Sequence, residues 1–167
     1  MLKKIYQEIK NKIIDYVFEV SNRPVSFMEL LKINKIYDDK MKVEGNLPGF
    51  RLILWRVYFV FIVLWHLVII PVLIIFHALL TKLDCHFSIL AAIIFTLLFF
   101  GTFTIFKEWL YEQVILRLLK KEWKHHFEFF NYEKYHKIVT HIYSEALEKG
   151  IPKSELRLFI FNDLSSK

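Results

Sequence analysis

The chain has 167 residues, of which 55% are hydrophobic, 17% aromatic and 24% charged, and its 23 Lys and Arg against 17 Asp and Glu give a formal net charge of +6. Apolar and charged side chains in these amounts must be kept apart along the chain. A single cysteine, Cys85, excludes an intramolecular disulfide, and without a CxxC or Cys/His array there is no basis for a structural zinc site.

The first stretch places Leu2, Ile5, Tyr6, Ile9, Ile13, Val17 and Val20 at intervals of three and four, with Lys3, Lys4, Lys10 and Lys12 between them. This spacing predicts a basic amphipathic helix, which either packs on the C-terminal helices or lies on an anionic membrane surface. Residues 1–50 are mixed in polarity, so no cleaved signal segment is expected. Pro24 ends the first element. Ser26-Phe27-Met28-Glu29 has capping-box spacing and opens a second helix towards Tyr37, after which Glu44 to Gly49 forms a turn.

Two windows then lack Asp, Glu, Lys and Arg altogether: Val57 to Thr81 and Cys85 to Phe106. Each exceeds the roughly 20 helical residues that cross a ~30 Å hydrocarbon layer. Neither alternates as a barrel strand would, and lipid-facing backbone must satisfy its own hydrogen bonds, so both are predicted helices. The connection, about 77–86, is too short for a domain and makes the helices antiparallel neighbours. Of the Lys and Arg residues, 11 precede the first span, one (Lys82) lies between the spans and 11 follow the second. Arg51, Arg56, Lys107, Lys120, Lys121 and Lys124 flank the spans where lipid headgroups would lie, and the positive-inside rule keeps both termini in the cytoplasm. Trp55, Tyr58, Trp109 and Tyr111 suit an aromatic belt at the same face. The lone Cys85 falls on the outer side, as an incidental residue or a site of pairing between chains.

Within the first span, His66 sits near mid-bilayer and His77 almost three turns further on, so both face one direction. An intramembrane imidazole suits proton relay, metal or haem ligation. The simpler alternative is that His66 hydrogen-bonds Thr96 on the second span and His77 meets the headgroups. Pro71 removes a backbone hydrogen bond and is expected to kink this helix. In the second span Ser88, Ala92 and Thr96 recur every four residues, with Gly101 beyond, a small face on which another helix can pack closely; Leu97, Leu98, Phe99 and Phe103 occupy the rest.

No Pro or Gly interrupts Thr102 to Phe130, so the second membrane helix is expected to continue outwards as an amphipathic rod. Asn131 caps a further helix that stops at Gly150 and Pro152, and a last helix is expected over 152–161. Glu122/His125 and Glu133/His136 match Glu-x-x-His, the spacing of di-iron bundle ligands, but also that of a solvated charged face. There is no P-loop, GxGxxG, GxSxG, HExxH or EF-hand loop, hence no declared enzyme and no expected cofactor.

The fold expected is an all-α integral membrane protein: an N-terminal region of amphipathic helices (1–50), a two-helix transmembrane hairpin (51–106, with spans about 57–81 and 86–106) and a C-terminal helical region (107–167). The two terminal regions together make a small cytoplasmic domain, since neither alone buries much core. The expected location is a bacterial inner membrane or its equivalent. The expected function is that of a non-enzymatic assembly component, either a homo-oligomer that forms a pore or an accessory subunit of a larger membrane complex. The alternative is a small membrane enzyme or redox or proton-transfer subunit using the histidines or the Glu-x-x-His pairs. Expected partners are the lipid bilayer, further copies and other membrane subunits. Nucleic acid is not among them, because the basic residues already follow the positive-inside pattern.

Overall fold

The computed structural model describes residues 2–20, 23–41, 49–80 and 85–165; the side chains of residues 20, 77–80, 85, 86 and 88 lie outside that description. The expectations placed on the turn at 44–48, on Lys82 and on the side chains of His77, Cys85 and Ser88 therefore fall outside the described residues. The chain is mostly helical and has two compact units, one of residues 1–19 and 52–110, the other of residues 20–51 and 111–167.

The first unit begins with α1 (Leu2–Val17), a helix as its spacing predicts, of which Ile14 and Val17 are buried. The chain then enters β1 (Phe18–Val20), which pairs with β2 (Phe50–Leu52). These strands correct the all-helical expectation. Three residues cannot display an alternation, and their pairing joins segments far apart in sequence. The amide of Ile53 donates to the carbonyl of Val17 at 3.0 Å, which ties the end of α1 to the start of α3 (Leu54–Leu80). The helix α3 continues through Pro71.

The helix α4 (Cys85–His126) contributes its first part to this unit and returns antiparallel to α3. Aromatic side chains make the seam. Tyr58 stacks on Phe103 at 4.5 Å between centroids; Phe61 meets Phe99, Phe103 and Phe106; Trp65 meets Phe95 and Phe99. As residue numbers rise in α3 their partners fall in α4, the register of a hairpin. Both helices are long and apolar enough to cross a membrane, and in the most apolar stretch of each almost no residue is buried within the chain.

The second unit is built from α2 (Phe27–Asp38), the remainder of α4, α5 (Tyr132–Glu148) and α6 (Leu156–Ser165). The continuation of α4 past the apolar stretch, as far as His126, is as the sequence led us to expect. The capping box at α2 is complete: the Glu29 amide donates to Ser26 Oγ at 3.3 Å and the Ser26 amide donates to Glu29 Oε2 at 2.9 Å. Asn131 caps α5 by accepting from the Glu133 amide at 2.8 Å. At the other end Gly150 adopts φ +64°, and the amides of Gly150 and Ile151 return to the carbonyls of Leu147 and Ala146, a Schellman termination. The last helix starts four residues later than expected. Pro152 opens a turn in which its carbonyl accepts from Glu155 and Leu156 before α6 begins.

The core of this unit is also aromatic. Trp123 and Phe127 are buried and stacked at 4.4 Å; Phe127 stacks on Phe161 and Tyr132 meets Trp123 edge-on. The Trp123 indole N–H donates to the Phe130 carbonyl at 2.7 Å, so the largest core side chain leaves no polar atom unsatisfied.

Candidate functional site

The hairpin places its polar residues apart. His66 Nδ1 lies 2.8 Å from the Ile62 carbonyl, and the Thr96 hydroxyl donates to the Ala92 carbonyl at the same distance. Each bonds within its own helix, which corrects the expected bond between them. A hydroxyl on a helix can satisfy itself on the carbonyl four residues back, and Thr102 and Thr104 do likewise. Local geometry is available at no cost in packing. Within the chain Phe99 and Phe103 join α3 to α4, so the small face is not filled by the first span: Ala92, Thr96 and Gly101 are exposed and a side chain added at Gly101 meets nothing within 4 Å.

The flanking cations divide by environment. In the first unit Arg56 is half-buried; its guanidinium donates to the Tyr16 carbonyl at 3.0 Å and lies over the rings of Tyr16 and Trp55. Placed at the last turn of α1, it complements that helix's carbonyl end. Lys107 is half-buried, whereas Arg51, Lys120, Lys121 and Lys124 are exposed in the second unit.

The two Glu-x-x-His pairs have other partners. Glu133 pairs with Lys120, whose ammonium holds that carboxyl below the usual glutamate range. Glu122 is buried beside Lys121 at 3.7 Å, while His125 is exposed. Among the described residues no group of three or more His, Cys, Asp or Glu could hold a metal ion.

His136 belongs to a different cluster, which sequence reasoning missed. Its Nδ1 lies 2.7 Å from Asp38 Oδ1, and the Thr140 hydroxyl donates to Asp38 Oδ2 at 2.6 Å. The Asn34 amide donates both to Thr140 Oγ1 at 2.7 Å and to the His136 carbonyl at 2.9 Å. Asn34 is fully buried, and the Asp38 side chain is only 8% exposed. The ring of Tyr132 stacks on His136 at 4.9 Å, and burial, with Tyr37 and Asp38 nearby, pushes its phenol far above the ordinary range. Burial raises Tyr37 as well. Both phenols stay neutral at physiological pH. The only signal in the sequence is a matched spacing, Asn34/Asp38 on α2 and His136/Thr140 on α5, each pair four residues apart and so on one helix face. Nothing in one sequence says that faces a hundred residues apart meet.

Comparison of the chain with protein-family models, with curated proteins and with solved structures finds no match. Chemistry must therefore be judged from geometry alone. In the α2–α5 cluster both carboxylate oxygens of Asp38 are engaged, by an imidazole and a hydroxyl, and the Asn34 amide closes the ring. The arrangement fastens two helices.

Proposed function

We propose that the chain is a non-enzymatic assembly component of a membrane, with α3 and α4 inserted as a hairpin and both termini in the cytoplasm. The carrying observation is that α3 and the first part of α4 are long, apolar and almost wholly uncovered by the rest of the chain. In water those faces would aggregate; lipid or other membrane helices give them a matching environment. Lys and Arg concentrated on either side of the hairpin, and Trp55 and Tyr58 exposed at its start, support the cytoplasmic assignment of the termini.

Between a pore and an accessory subunit, we favour the subunit. The exposed faces of the hairpin are apolar apart from residues such as His66 and Thr96, and an aqueous lumen needs a polar lining. The second unit then offers a helical domain in the cytoplasm, held together by its own core. The test is the native mass of the particle extracted from membranes in mild detergent, together with its co-purifying proteins. A mass above that of one chain, made up by copies or by stoichiometric partners, is expected. A monodisperse monomer without partners, or a protein released from membranes by alkali, would refute the proposal.

A further inference from the structure

We infer that α1 is a second membrane contact, lying on the surface of an anionic leaflet with its uncovered apolar stripe among the lipid headgroups. The inference rests on the membrane reading of the hairpin and adds a lipid class to it. Although α1 packs on α3, the packing buries only Ile14 and Val17. Leu2, Ile5, Tyr6, Ile9 and Tyr16 stay exposed, at 83%, 44%, 54%, 53% and 40%. At 100° per residue these five share one continuous face. Lys12 borders it on one side, where it pairs with Glu8 at 3.1 Å, and Lys3 and the half-buried Lys10 border it on the other, while Asp15 lies across the helix with Lys4. Lysines along both borders can bury their stems and reach phosphates.

Two further observations select lipid as the occupant. One is charge: three lysines, Lys3, Lys10 and Lys12, outnumber the one acid at the border, Glu8, and that excess suits anionic headgroups, whereas a second copy would bring like charge against like. The other is continuity. The end of α1 is fixed to the start of α3 by Ile53 N to Val17 O at 3.0 Å and Arg56 to Tyr16 O at 3.0 Å, with the Tyr16 and Trp55 rings edge-on at 6.5 Å. The exposed apolar surface of the hairpin begins there, with Leu54, Trp55, Tyr58 and Phe59. The stripe of α1 thus starts at the border where an inserted α3 would enter the hydrocarbon.

The test uses the full chain with Cys85→Ser, reconstituted into vesicles of phosphatidylcholine with or without phosphatidylglycerol. A single environment-sensitive label is placed at Ile9→Cys, Lys4→Cys or Val68→Cys, and quenching by brominated acyl chains is read. Val68 on α3 should be quenched in both lipids, Lys4 in neither, and Ile9 several-fold more strongly with phosphatidylglycerol. Lys3→Gln, Lys10→Gln and Lys12→Gln together should remove that lipid dependence. Quenching at Val68 but none at Ile9 in anionic vesicles overturns the α1 contact alone. Ile9→Cys chains that cross-link to each other without quenching assign the stripe to a second copy and overturn it too. No quenching at Val68 overturns the hairpin and the α1 contact together.

Discussion

The two units use aromatic side chains in opposite ways. In the second unit Trp123, Phe127 and Tyr132 are buried on all sides, and the buried Asn34 and Thr140 bond to each other. In the hairpin, Tyr58, Phe61, Trp65, Phe95, Phe99, Phe103 and Phe106 fill one seam, and the remaining faces expose residues such as Leu67, Ile74, Leu97 and Phe100. Water drives the first arrangement by expelling apolar surface. With the hairpin in lipid, as proposed, that drive is absent between its helices, so ring-to-ring packing must supply the specificity. The comparison predicts that truncations to alanine have unequal effects in the two regions.

The largest effect belongs to the centre of the second unit. Trp123→Ala removes a buried ring with two aromatic partners and an indole hydrogen bond, and should cost ~3–5 kcal/mol. Loss of the unit's near-UV circular dichroism at lower denaturant checks it. Leu97→Ala, on an exposed face of the hairpin, should change stability by less than ~0.5 kcal/mol in the same assay. Equal effects would break the contrast. Phe61→Ala tests the seam. It abolishes contacts to three α4 rings, each worth ~0.5–1.5 kcal/mol, so cross-linking between cysteines placed on α3 and α4 should fall while the second unit unfolds as before.

The α2–α5 cluster comes next. Asp38→Ala leaves His136 and Thr140 without their shared acceptor and should destabilise by ~1–3 kcal/mol; His136→Ala should act in the same direction. Amide exchange in α2 and α5 locates the loss. Ser26→Ala removes the α2 cap at ~1 kcal/mol. The pH dependence of that cap has a definite sign. Hydrogen bonds from Ser26 hold the Glu29 carboxyl below its ordinary range, so the contribution is complete above the ordinary glutamate pKa and is lost as pH falls through the lowered one. Glu29→Gln should flatten this acid-side decline in stability, and an unchanged slope would show that the capping box is not its source.

Local signals in the sequence were followed closely by the structure. The capping box at Ser26, the cap at Asn131, the stop at Gly150 and the unbroken run from Cys85 to His126 each depend on neighbouring residues, and each formed. Non-local pairings were not legible. The strands at Phe18 and Phe50 are too short to carry a pattern, and the His136 that looked like half of a metal pair with Glu133 is bonded to Asp38 on another helix. The small residues of α4 suit close packing on another helix, but within the chain the seam is made by phenylalanines. Both residue types recur at three and four, and spacing alone does not say which row meets a partner.

The central claim is that the hairpin crosses a bilayer, and sidedness tests it most directly. Cys85 is the natural reporter for the connection, and Ser165→Cys in a Cys85→Ser background reports the C-terminal end. A membrane-impermeant maleimide applied to intact cells should label Cys85 without lysis and Ser165→Cys only after permeabilisation. Labelling of both positions on the same side, with both thiols shown to react fully in denaturant, would contradict a hairpin that spans the membrane.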